Sequence, residues 1–254
     1  ERSVGLGVMG FHSFLQKNSI PIESVMAKVW NNKMFKQIDK EVNAASVKLA
    51  EERGPCPDAA DYGIMERFSN KTAIAPTASI SIICGGASPG IEPVAANSYT
   101  HKTLSGSFNV RNKYLKQILA KYEKDTDEVW SSITTNQGSI SHLDFLSDLE
   151  KDVFKTAFEI DQRWLIDHSA DRTPYVSQAQ SLNVFLPADV HKKDLHQIHF
   201  QAWKKGLKSM YYCRSKSIQR AEVINQTVAN AAKNQPAETT NGEAANYEEC
   251  LSCQ

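Results

Sequence analysis

Between residues 23 and 53 apolar positions recur mostly at three- and four-residue spacings, through Val25, Val29, Ile38, Val42, Ala45 and Leu49. That period predicts one long helix, and Gly54-Pro55 supplies its stop. Residues 72–75 read as a short extended run that Pro76 breaks, while the β-branched and apolar residues 79–84 fit helix or strand equally well. A second helix is expected from Ser147, where Glu150 completes an S-x-x-E capping box. Its apolar stripe runs Val153, Phe154, Ala157, Ile160 and Trp164. A strand over 181–186, a helix over 189–208 and a strand over 210–213 come next, a spacing that predicts a parallel pair joined by a right-handed crossover. The fold class is therefore α/β with parallel strands. From about Asn225 the chain turns rich in Asn, Gln, Ala, Glu and Thr, and residues 234–249 carry no periodic apolar face. Residues 225–254 are expected to form a disordered tail on a folded unit spanning 1–224.

Composition narrows the function classes. The 254 residues are 41% hydrophobic and 23% charged, enough apolar material for a sizeable core. Lys plus Arg and Asp plus Glu both number 29, so no charge imbalance recommends a nucleic acid or an anionic membrane as partner. The longest apolar stretch, 74–96, is interrupted by Ser, Pro and Gly and does not reach membrane-spanning length. Five Cys, an odd number, and no secretory signal argue against a disulfide-stapled secreted domain and for a reducing, cytoplasmic setting. The first residue is Glu1, not Met, and the expectation is a piece of something longer.

Several motifs carry candidate chemistry. The run 5–10, GLGVMG, matches the dinucleotide fingerprint, but only four residues precede it and the residues after it read as helix. Glu23, at a tolerable distance for the ribose acid, opens a helix instead of ending a strand, so close helix packing through the glycines is the better account. His196 and His199 share a helix face with His191 nearby, yet no Glu or Cys at ligand spacing joins them, and no metal site is expected. The lysines at 204, 205 and 208 read as a solvated helix end. The small and hydroxylated residues Pro76, Thr77, Ala78, Ser79, Ile80 and Ser81, followed by Gly85-Gly86, suit a turn that holds a phosphate through backbone N–H groups and hydroxyls. Tyr211 and Tyr212 are adjacent. Neighbours on a strand face opposite ways, so two stacked rings would need a local distortion, and composition alone favours one core ring and one amphipathic ring. Cys250 and Cys253 form a C-x-x-C pair beside Glu248 and Glu249, which raise the thiol pKa. A mobile, reversible dithiol carrier fits better than a tuned nucleophile, and Cys56, Cys84 and Cys213 read as structural.

Order along the chain ties these signals together. The runs NKTAIAPTASI (70–80), GIEP (90–93), TLSGSF (103–108), QAQSLNV (178–184), WKKGLK (203–208) and MYY (210–212), with the terminal Cys pair, closely resemble the large, catalytic subunit of class I ribonucleotide reductase. The opening ERSVGLGV is similar to a stretch just beyond the centre of that subunit's barrel, and the resemblance covers essentially the whole chain. It implies about half of a ten-stranded α/β barrel, the C-terminal part, followed by a redox tail. It implies that Pro76, Thr77, Ala78, Ser79 and Ile80 hold the diphosphate of a ribonucleoside diphosphate. Tyr211 and Tyr212 become the stacked pair that passes a radical equivalent from the small, metal-bearing subunit towards an active-site thiol. Cys250 and Cys253 become the dithiol that re-reduces the active-site disulfide and is recharged by thioredoxin or glutaredoxin.

The resemblance also implies what else is needed. The family's radical-forming Cys, its redox Cys pair, a neighbouring Asn and Glu, and its nucleotide-sensing regions lie N-terminal to the matched part, with no candidates in this chain. The expectation is thus a C-terminal portion that binds no cofactor itself, is inactive alone, and works with an N-terminal part and the small subunit, which supplies the tyrosyl or metal radical. Two alternatives stand beside it: a fragment of a cobalamin-type radical reductase, which needs no tyrosine relay, and a non-catalytic interaction module.

Overall fold

In a computed structural model, residues 1–103 and 106–215 are described. The long predicted helix is α2, Val25–Arg53, and its start and stop have local causes. Ser24 caps it by accepting the Ala27 N–H at 3.1 Å, and Gly54 ends it at φ +80°, a conformation glycine adopts without steric cost. Its buried face is not the predicted apolar stripe. Val25 and Val29 are exposed, whereas Ala27, Asn31, Phe35, Ser46 and Ala50 are buried. A polar residue sits on the core side because it has partners there. Asn31 donates from Nδ2 to the His168 carbonyl at 2.8 Å and accepts from Arg172 Nε at 2.8 Å. The Arg172 guanidinium lies 5.1 Å from the ring centres of both Phe11 and Phe35, a doubly aromatic seat for a buried cation.

Four extended segments lie side by side in parallel. Leu6 bridges Thr72, Ile74 bridges Gln180, and β3 (Val184–Leu186) pairs in register with β4 (Cys213–Ser215). Backbone bonds from Leu6 N to the Lys71 carbonyl (2.9 Å) and from Ser181 N to the Ile74 carbonyl (2.9 Å) join the segments into staves. The glycines of GLGVMG serve this stave packing and not the helix packing expected. A Cβ on Gly7 would lie 2.5 Å from the Ala73 carbonyl oxygen, and one on Gly5 would lie 3.1 Å from Ala73 Cβ. The helix that comes next, α1 (Phe11–Lys17), starts only after Gly10 turns the chain at φ +82°.

The strand–helix–strand unit near the C-terminus is present, with α9 (Lys192–Lys204) joining β3 to β4. The strands are shorter than predicted, and Met210, Tyr211 and Tyr212 precede β4 instead of forming it. After a one-turn helix, α3 (Pro57–Asp61), residues 79–84, ambiguous by pattern, fall mostly in a short helix, α4 (Ala78–Ile83). The helix expected from Ser147 does carry its capping box, but it is two helices, α7 (Asp148–Val153) and α8 (Gln162–Arg172). Two long-range bonds and one local side-chain bond take over the backbone between them. Ala157 N donates to the Val94 carbonyl at 2.8 Å, Asp161 N donates to Glu23 at 2.7 Å, and Glu159 accepts the Thr156 N–H at 2.8 Å.

Apolar burial divides into two clusters. The larger gathers Phe11, Leu15, Ile22, Phe35, Ile74 and Ile91 with Leu165, Ile166, Leu182 and β3. The smaller joins Leu115 and Leu119 of α5 (Lys113–Lys121), Trp130 and Ile133 of α6 (Asp127–Thr135), and Ile140, Leu143, Leu146, Val153 and Phe154. These helices come after an antiparallel hairpin, β1 (Ser98–Thr103) with β2 (Gly106–Arg111). Among the described residues no helix is long and apolar enough to cross a membrane.

Candidate functional site

The turn at 76–80 leaves a stave at Ile74 and enters α4. Thr77 occupies the left-handed region at φ +53°, uncommon for a β-branched residue and costly unless its surroundings impose it. They do, because Thr77 Oγ1 accepts the Gly90 N–H at 2.8 Å. Gly90 in turn lies so close to the preceding stave that a Cβ there would meet the Ala75 carbonyl oxygen at 2.9 Å. Pro76, Thr77 and Ala78 are half-buried, while Ser79 and Ile80 are exposed at the helix start. The first N–H groups of a helix point out of its hydrogen-bond ladder, so this turn presents donors on a tied-down backbone. Beside α4 opens a cavity of about 660 Å³, walled by Ile82, Pro89, Val94 and Tyr99 with polar Gln16 and Asn112.

Tyr211 and Tyr212 do come together. Their ring centres are 4.1 Å apart with planes at 52°, and both residues are exposed. Their position just before β4 removes the strict alternation that would have set them on opposite faces. Tyr211 N donates to the Leu182 carbonyl at 2.8 Å, Tyr212 N donates to Asn183 Oδ1 at 2.9 Å, and Val184 N donates to the Tyr212 carbonyl at 3.0 Å. The hydrogen bond with Tyr212 holds the Tyr211 phenol above its ordinary pKa. Arg214 lies over the Tyr212 ring at 5.7 Å.

Glu92 is a site residue that sequence reasoning does not single out, although the GIEP run that holds it is family-like. It is buried, and burial raises its carboxyl pKa against the opposing pull of Asn183 hydrogen bonds and the Arg214 charge. The signal for it is a glutamate between apolar and Pro neighbours in a motif that supplies no surface period.

The histidines take separate roles. His191 caps α9 by accepting the Lys193 N–H, His196 stacks on Phe200, and His199 bonds the Leu195 carbonyl. Among the described residues no group of three or more His, Cys, Asp or Glu is placed to hold a metal ion. The lysines at the end of α9 are more than a solvated end: Lys208 Nζ donates to the carbonyls of Val176 and Ser177 at 2.8 Å. Of the three cysteines read as structural, only Cys56 is buried, and Cys84 and Cys213 are exposed. Cys250, Cys253 and the expected tail at 225–254 lie outside the described residues.

Parallel staves joined through helices, a braced turn and a close tyrosine pair define a segment of an α/β barrel. The chain belongs to the ribonucleotide reductase family, matching its barrel domain over residues 1–63 and 58–213. It is 48% identical to the ribonucleoside-diphosphate reductase large subunit of Invertebrate iridescent virus 6, over 89% of this chain and 24% of that protein. A putative large subunit from Frog virus 3 is 39% identical over the whole chain and 42% of its own length. Among solved structures, the class Id ribonucleotide reductase alpha subunit of Actinobacillus ureae superposes with a TM-score of 0.79 at 38% identity, covering 89% of this chain and 40% of that one. The chain thus spans between about a quarter and two fifths of the length of these relatives.

Proposed function

We propose that this chain is the C-terminal portion of the catalytic barrel of a ribonucleoside-diphosphate reductase large subunit. With the N-terminal part and the small radical-generating subunit, it takes part in reducing ribonucleoside diphosphates to deoxyribonucleoside diphosphates. The observation that carries this reading is the Tyr211–Tyr212 pair, with rings 4.1 Å apart and its backbone held on residues 182–184. Two phenols at that distance suit proton-coupled hole transfer: each loses a proton with its electron, so no charge is stranded between them. The turn from Pro76 through Thr77, Ala78 and Ser79 to Ile80 would take the diphosphate on its backbone donors. The chemistry removes the ribose 2′-hydroxyl as water and converts two thiols to a disulfide. Cys250 and Cys253 would return that disulfide to thiols and themselves be reduced by thioredoxin or glutaredoxin.

The test is reconstitution. The purified chain, mixed with a matching N-terminal part and a small subunit, should convert a ribonucleoside diphosphate to its deoxy form, and Tyr212→Phe should abolish turnover. Turnover by this chain alone, or full turnover with Tyr212→Phe, would refute the reading.

A further inference from the structure

The backbone of the tyrosine pair is braced by a buried carboxylate. Glu92 is 4% exposed and Asn183 is 2% exposed. Asn183 donates twice to Glu92, from its backbone N to Oε1 at 3.0 Å and from Nδ2 to Oε2 at 3.1 Å. The remaining polar atom of that amide, Oδ1, accepts the Tyr212 N–H at 2.9 Å. A side-chain amide has its acceptor and its donors at opposite ends of a plane. A carboxylate that takes Nδ2 therefore decides that Oδ1 faces Tyr212.

Glu92 has little freedom to drift. Its own N–H donates to the Pro89 carbonyl at 3.0 Å, completing a tight turn. Within that turn Gly90 N is bound to Thr77 Oγ1 at 2.8 Å and packs against the stave at Ala75. A carboxylate buried for its volume alone would be a poor choice, because removing it from water costs more than burying an apolar group. Here its oxygens both take N–H bonds, and Arg214, which reaches over the Tyr212 ring, supplies the nearby positive charge.

We infer that Glu92 and Asn183 are positioning residues for the tyrosine pair: the carboxylate sets the orientation of the Asn183 amide, and the amide holds the Tyr212 backbone so that the two rings meet. The functional consequence rests on the radical-transfer role proposed above; the positioning itself does not.

Tyr211 reports on the arrangement, since its phenol titrates above the ordinary range through its bond to Tyr212, with Arg214 acting in the opposite sense. The experiment follows tyrosine ring carbons by NMR in the 13C-tyrosine-labelled chain as pH rises, with the Tyr211 signal identified by its absence in Tyr211→Phe. Glu92→Gln leaves one acceptor for the two Asn183 donors, so one of the two bonds is lost and the Asn183 amide is no longer held on both sides. The Tyr211 titration should then fall to that of a free phenol, about 10. The exchanged pair Glu92→Gln with Asn183→Asp restores every bond: the introduced amide donates to the introduced carboxylate, whose other oxygen accepts the Tyr212 N–H. It should return the titration to its original place, and it does so even if Glu92→Gln alone does not fold. A folded single variant with an unchanged titration, or a folded exchanged pair titrating at about 10, overturns the inference. In the reconstituted complex, Glu92→Gln should lower kcat at least tenfold with KM for the diphosphate unchanged. A moved titration with unchanged kcat leaves the positioning standing and counts against radical transfer through this pair.

Discussion

Two buried histidines should make the stability of this chain fall steeply in mild acid. His12 is fully buried and accepts the Val94 N–H on Nδ1 at 3.1 Å, so a second proton has to displace that bond. His168 is buried with Nε2 donating to the Ile22 carbonyl at 2.7 Å, and its Nδ1 has no hydrogen-bond partner to receive a new N–H. Burial lowers each from 6.5 to about 4, and for His168 the neighbouring Arg172 charge adds to the effect. Both pKa values are depressed on folding, so the folded state is favoured above the unfolded value. That advantage is lost as pH falls from 6.5 towards 4, because the unfolded chain binds protons that the folded chain refuses. At about 1.4 kcal/mol per pH unit, each histidine removes roughly 3 kcal/mol across that window. The lowered carboxyls of Glu150 and Asp161 act only below their ordinary range, and Glu92, raised by burial, opposes the trend in part. Urea unfolding followed by tryptophan fluorescence from about pH 7 to about pH 4.5 measures the slope. His168→Gln keeps a donor for the Ile22 carbonyl and removes one titration, so its slope should be smaller by about one proton. Equal slopes for the two proteins, or stability that stays flat from about pH 7 to about pH 5, would refute the reasoning.

Two further expectations concern packing. Gly7→Ala should destabilise the chain by about 1–3 kcal/mol in chemical denaturation, because the new methyl would sit 2.5 Å from a backbone oxygen that a stave cannot move. A loss below a few tenths of a kcal/mol would mean the staves are not packed as described. Asn31→Leu leaves Arg172 Nε unpaired in the core and takes a side-chain donor from the His168 carbonyl, and about 3 kcal/mol should be lost. An unchanged denaturation midpoint would show that the Asn31–Arg172 contact contributes nothing.

Much of the site is legible without the fold, but not its geometry. The turn at 76–80 can be named because Pro, small and hydroxylated residues are local choices. Nothing local shows that Thr77 is held left-handed by Gly90, thirteen residues on. The tyrosine pair is legible as two letters, while their contact depends on the chain leaving strand geometry just before β4. What Glu92 bonds is not legible, because its partner, Asn183, lies 91 residues away.

The same division runs through the fold. Helix α2 and its glycine stop, the capping box at Ser147 and the parallel β3–β4 unit come from period, capping and spacing, which are short-range properties of the chain. Only the tertiary structure decided that α2 turns Asn31 and not Val25 or Val29 to the core, because a buried amide is favourable only where His168 and Arg172 stand ready to bond it. It likewise split the helix after Val153. There the long-range bonds to Val94 and Glu23 outcompete one more helical turn, and no pattern within the segment records those partners.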